Sequence, residues 1–147
     1  MTLTKAKEIL SAEDLTQFIG TTQYWNLSPL YPFLCTDGVH FLAEQGGAFW
    51  LLDAIAAWQI DPRVRDAQNL KDIQFWKLIV NESQSAKLIC ERDKGDIVVT
   101  QKIVWTDFPL PEIKLYLCNM WCFWEHVQTG SSRSVHNYAV LMLPSEY

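Results

Sequence analysis

Apolar and polar residues change rhythm several times along this chain, and each rhythm predicts an element. Between residues 73 and 105 they fall into three short runs, Ile73–Val80, 87–91 and 97–105, separated by the polar turns 81–85 and Asp93-Lys94-Gly95-Asp96. Such runs read as an antiparallel meander of three strands. In the third run Val98, Thr100, Lys102 and Val104 point one way and Val99, Gln101, Ile103 and Trp105 the other, so one sheet face is expected to be partly wet. Residues 46–58, GGAFWLLDAIAAW, are instead apolar on nearly every side, the pattern of a buried helix. Its one carboxylate, Asp53, is then expected to be paired or hydrogen-bonded, because an ionised carboxylate left without a partner away from water is costly. The helix should stop near Ile60, since Pro62 cannot continue it, and the polar residues 63–72 return the chain to the sheet.

Weaker patterns fill in the rest. Ser11-Ala12-Glu13-Asp14 reads as a helix start with Ser11 as the cap, followed by Leu15, Phe18 and Ile19 on one face until Gly20. Residues 21–32 mix aromatics with Asn, Ser and two prolines, and are expected to lie over the core as an irregular lid carrying Tyr24, Trp25, Leu30 and Tyr31. The runs 33–35 and 39–43 flank Thr36-Asp37-Gly38, and Asp-Gly between apolar runs predicts a hairpin. Further strands are predicted over 113–117 and 138–143. Together these give an α+β fold, an antiparallel sheet of about four to six strands packed on one buried central helix with a short N-terminal helix. With no repeat or composition shift, residues 1–147 read as a single compact domain.

Composition adds exclusions. The chain is 49% hydrophobic and 20% charged, and it is rich in tryptophan, with seven in 147 residues. Its net charge is −5 and Lys and Arg nowhere run together, so the electrostatic footprint of a nucleic-acid binder is missing. No apolar run approaches the ~18 residues of a membrane span, and residues 1–10 lack the pattern of an export signal, which points to a cytoplasmic protein. The four cysteines, Cys35, Cys90, Cys118 and Cys122, are then expected as free buried thiols rather than disulfides.

Candidate chemistry is sparse. Cys118, Cys122 and His126, spaced for one helical face with His136 nearby, have donor types that suit zinc, but Met120, Trp121, Phe123 and Trp124 interleave them as core packing does. Core packing is the commoner meaning, and neither metal nor cofactor is assigned. A second grouping is Asp37, His40 and Glu44 with Asp53. If Asp53 oriented His40, the pair would serve as a general base; otherwise Asp37 serves its own turn, Glu44 is a solvated charge and Asp53 ties the helix to a neighbour. No catalytic residue is assigned, since no nucleophile elbow or phosphate loop is present. Trp121 and Trp124, if exposed, would mark a partner surface.

Three segments carry a resemblance. Gly20-Thr21-Thr22-Gln23-Tyr24-Trp25, the run Thr36-Asp37-Gly38-Val39 through Leu42-Ala43-Glu44-Gln45-Gly46-Gly47-Ala48-Phe49-Trp50-Leu51-Leu52-Asp53-Ala54-Ile55-Ala56, and the ending Leu143-Pro144-Ser145-Glu146-Tyr147 are similar to a family of short bacterial proteins, frequent in cyanobacteria, known only as a domain of unknown function. The resemblance spans most of the chain and marks Tyr24, Trp25, Asp37, Gly38, Glu44, Trp50 and Asp53 for attention. Relative to the family pattern, 119–135 looks like an expansion suited to a local contact surface. The expectation is a non-enzymatic protein-interaction module with an aromatic contact surface, whose partner is a protein, a second copy of itself included. The alternative is a small enzyme or ligand-binding protein with a pocket for a small molecule near Asp53 and His40.

Overall fold

The computed structural model describes residues 10–26, 33–121 and 139–147. Their strands form one seven-stranded sheet in the order β1-β2-β7-β6-β3-β4-β5: β1 (Trp25–Asn26), β2 (Phe33–Cys35), β3 (Ile73–Val80), β4 (Ala86–Asp93), β5 (Asp96–Ile103), β6 (Glu112–Cys118) and β7 (Ala139–Met142). The α+β class is as expected; the strand count is higher than expected, and the sheet is mixed, because β2 runs parallel to β7. Four helices accompany it among the described residues: α1 (Ala12–Leu15), α2 (Asp37–Gly46), α3 (Phe49–Trp58) and α4 (Pro62–Arg65). None of them is long and apolar enough to cross a membrane.

The β3-β4-β5 meander is where the alternating pattern put it. Trp76 and Leu78 face the core from β3, opposite Leu115 and Ile113 of β6, while Lys77 pairs with Lys114 on the other face. Val99 is buried and Gln101 accepts the Trp58 indole N–H at 2.7 Å, whereas Thr100 and Lys102 are exposed, so one face is wet as expected. The core lies between the inner sheet face and the helices, with Leu42, Leu51, Leu52, Ile55 and Trp76 almost wholly buried. Burying each such side chain stabilises the fold by about 1.5–3 kcal/mol. Within this core the amides of Gln59 and Gln74 bond each other reciprocally at 2.8 and 2.9 Å, and Gln74 also accepts the Trp76 indole N–H at 2.8 Å. The remaining amide protons reach the carbonyls of Ile55 and Leu70, so this buried polar group is fully used and fixes α3 against β3.

Two expectations are corrected. Asp37-Gly38 opens a helix rather than turning a hairpin. Thr36 is the N-cap, its hydroxyl accepting from Val39 N–H, and Val39, Leu42, Ala43 and Gly46 are buried at helical spacing. Gly47 ends α2 with φ 61°, a left-handed conformation that glycine adopts without strain. Second, α3 is not buried all round. Leu51, Leu52, Ile55 and Ala56 face the core, but Phe49, Asp53 and Ala57, four residues apart, form an exposed stripe. Asp53 is therefore in water and needs no partner; an apolar composition concealed a helix with a wet side.

The other termini behave locally. Ser11 and Asp14 form the capping box that starts α1, although the helix stops at Leu15 and Ile19 is exposed. Beyond α3, residues predicted as a plain polar return form α4, capped by Asp61 with Pro62 in its first turn, and then a short 3-10 turn, Gln68–Leu70.

Candidate functional site

The first turn of α2 gathers residues from three distant parts of the chain. Asp37, its first residue, accepts the Thr22 N–H and the Thr22 hydroxyl at 2.8 Å each on Oδ2, and the Trp25 indole N–H at 3.2 Å on Oδ1. Its own N–H donates to the Thr21 hydroxyl at 2.9 Å. The Thr22 backbone amide is the main reason that the Asp37 carboxyl lies below the usual carboxylate range; the Thr22 hydroxyl and Trp25 indole add to it, against some desolvation. Glu146 closes the same turn from the other end of the chain. Its carboxylate accepts the Thr36 hydroxyl at 2.5 Å, Gly38 N–H at 3.0 Å and Leu143 N–H at 3.0 Å. Glu146 thereby satisfies a free amide of the helix's first turn, and both carboxylates stand where the positive end of the helix dipole favours negative charge.

Gly38 leaves little space for a side chain. A Cβ on it would stand 2.6 Å from Leu143 Cδ1 and 2.7 Å from Glu146 Oε1. The segments Thr21-Thr22-Trp25, Thr36-Asp37-Gly38 and Leu143-Glu146, on which the sequence resemblance rests, thus meet at one structural lock. Nearby Cys35 is buried, and burial, with Glu146 and Asp37 adding, pushes its thiol up to about 12.

An aromatic ledge is mounted on this lock. With its indole N–H held by Asp37, Trp25 stacks on His40, ring centroids 3.7 Å apart and 9° from parallel. His40 in turn meets Phe49 of α3 edge-on at 6.2 Å. Phe49 is 51% exposed and Tyr24, next to Trp25, is 44% exposed. Glu44 lies one helical turn beyond His40 and Asp53 one turn beyond Phe49, both exposed, so the ledge has an acidic border.

Of the residues singled out in the sequence, Trp25, Asp37 and His40 come together, Glu44 and Asp53 flank them, and Tyr24 is exposed with no ring contact or side-chain hydrogen bond to them among the described residues. Asp53 makes no hydrogen bond or ion pair with His40 among the described residues, so the arrangement needed for an oriented general base is not formed. Trp50 is half-buried against the core. Trp121 is exposed, and its N–H donates to Lys71 C=O beyond the end of β6. Trp124 lies outside the described residues, as do Cys122, His126 and His136 of the metal grouping; Cys118 is buried, which pushes its thiol up to about 11. Among the described residues no three His, Cys, Asp or Glu side chains form a cluster suited to a metal ion.

Sequence reasoning missed Phe49 and Glu146. Phe49 stood inside a run read as uniformly buried, and its spacing of four from Asp53 was the available signal. Glu146 had no local signal, since its helix lies 108 residues away. Neither a curated protein nor a solved structure matches the chain. Residues 9–147 match the model of DUF6876, a family of unknown function, and the chain belongs to that family.

Proposed function

We propose that this domain is a non-enzymatic protein-contact module that docks a partner on the ledge of Trp25, His40 and Phe49. The observation carrying this reading is the half-exposed Phe49 meeting a Trp25–His40 stack fixed by Asp37. Exposed aromatics on a rigid base are the side chains that dominate binding energy at protein interfaces, because they bury much area with little further loss of freedom. Glu44 and Asp53 at the border favour a partner whose matching surface is apolar with Lys or Arg at its rim.

The test is a photo-crosslinking residue, p-benzoylphenylalanine, placed at position 49 and, as a control, at the exposed Asn69, in the host cell. A discrete protein adduct, or a crosslinked dimer of this chain, at position 49 and absent at 69 supports the proposal. A correctly folded protein that yields no adduct at 49, or the same adducts at both positions, refutes it.

A further inference from the structure

The sheet face turned away from the helices holds an open groove of about 630 Å³ bounded by β3, β6 and the β4–β5 turn. Strand register sets Phe75 directly opposite Tyr116 and, one same-face position along, Lys77 directly opposite Lys114. The two rings meet edge to face at 5.1 Å. Lys94, in the β4–β5 turn, stands at the rim.

Like charges directly opposite each other on a sheet face repel. Glu91 and Asp93 also line it and are held at the turn end, Glu91 accepting Gly95 N–H at 3.2 Å and Asp93 accepting Lys94 N–H at 2.8 Å, so the negative charge lies at that end and the Lys77–Lys114 pair at the other. Lys114 is ion-paired with Glu112 at 3.8 Å, and neither Lys77 nor Lys94 has an ion-pair partner among the described residues. A second like-charged pair, Lys87 opposite Lys102, lies on the same face. This concentration of lysines occurs in a chain whose net charge is −5.

We propose that the groove binds a small planar anion, an aromatic ring bearing a phosphate or a carboxylate. The ring packs against the Phe75–Tyr116 pair, face-on to one ring and edge-on to the other, and the anionic group sits between Lys77 and Lys114, with Lys94 at the rim. Same-face residues are ~7 Å apart along a strand, comparable to the separation of base and phosphate in a nucleoside monophosphate. A groove of several hundred Å³ suits a ligand of that size. The acidic charge of the rest of the chain opposes a long polyanion, so the ligand is a small molecule rather than a nucleic acid.

Isothermal titration of the full chain with AMP, benzoate, adenosine and inorganic phosphate, at low and high salt, tests this. AMP is expected to bind at least ~10-fold more tightly than adenosine or inorganic phosphate, with affinity falling as salt rises. Lys77→Gln is expected to weaken AMP by ~10-fold or more, while Lys102→Gln, on the same face outside the groove, leaves it unchanged. Without ligand, Lys77→Gln should melt no lower than the parent, because it removes half of a repelling pair, so lost binding is not lost folding. Benzoate bound in preference to AMP supports the site with carboxylate as the anion. The proposal is overturned if neither AMP nor benzoate binds, if phosphate alone binds as well as AMP, or if Lys77→Gln leaves the affinity intact.

Discussion

Glu146→Ala is expected to be among the most destabilising single changes at a half-exposed position of this protein. The carboxylate accepts from Thr36, Gly38 and Leu143, of which Thr36 and Leu143 are each only 2% exposed. Truncation leaves these donors without their acceptor, at about 1–3 kcal/mol each when no substitute is found. Glu146 is itself half-exposed, so water can replace part of what is lost, and the lower end of the sum applies, ~3–4 kcal/mol. At ~2–4 °C per kcal/mol for a chain of this size, the melting temperature should fall by ~6–16 °C. Calorimetry and circular dichroism melts measure this directly. Glu146→Gln, which keeps one acceptor oxygen and turns an NH2 toward donors, should fall between the two. Ser145→Ala removes only an exposed bond to the Phe18 carbonyl and should cost at most ~1.5 kcal/mol. A loss below ~2 °C for Glu146→Ala, or one no larger than that of Ser145→Ala, would refute the idea that the chain ending locks the first turn of α2.

Three further outcomes follow, two from the same site and one from the buried thiols. Gly38→Ala should destabilise by more than ~2 kcal/mol, the reverse of the helix-propensity gain of ~1 kcal/mol, because buried Leu143 and triply bonded Glu146 stand in the way of the Cβ; a rise in melting temperature would show that they yield. Asp37 has a lowered folded pKa, so its contribution is present above the unfolded carboxyl value of ~3.9 and is lost as pH falls through the folded value. The Trp25 indole proton, followed by NMR, should accordingly titrate with a midpoint below ~3.9, and a midpoint above that value contradicts the hydrogen bond. Cys35 and Cys90 are pushed up to about 12, chiefly by burial, so both should resist iodoacetamide in the native state at mildly alkaline pH, read by mass spectrometry against the unfolded chain. Because their folded pKa is raised, the stability they contribute is complete below the unfolded thiol value of ~8.5 and drains away as pH rises toward the folded value.

The parts of the fold legible in the sequence are those whose cause is local. β3, β4 and β5 follow from alternation and from turn residues between them, α3 stops before Pro62, and Ser11 with Asp14 announces α1. Elements that depend on remote partners were not legible. Residues 39–43 are too short a run to separate strand from helix by periodicity alone, and what decides for α2 is Thr36 at its cap together with a carboxylate 108 residues further on. The parallel pairing of Phe33 with Ala139 is likewise set by closure of the whole sheet. Asp53 was misplaced for a different reason: folded proteins leave much apolar surface in water, so an apolar helix is not thereby a buried one. At the site, Asp37 and His40 meet through Trp25, whose indole Asp37 anchors and on whose ring His40 stacks, a relation that no local sequence pattern signals.

The lock and the ledge share α2, and this separates a folding role from a contact role by experiment. Trp25 donates to Asp37 and covers one face of His40, so Trp25→Ala removes both a hydrogen bond and a ring contact from the base of the ledge and should cost ~2–4 kcal/mol. Phe49 stands outside that network, 51% exposed and touching His40 only edge-on, so Phe49→Ser should cost only ~0.5–1.5 kcal/mol. If the ledge is a docking surface, both substitutions abolish partner capture although their melting temperatures differ by several degrees. Equal destabilisation by the two would mean that Phe49 is part of the core and that the ledge has no free surface to offer. Partner capture tracking the melting temperature alone would place the whole cluster with the lock, as a device for closing the fold.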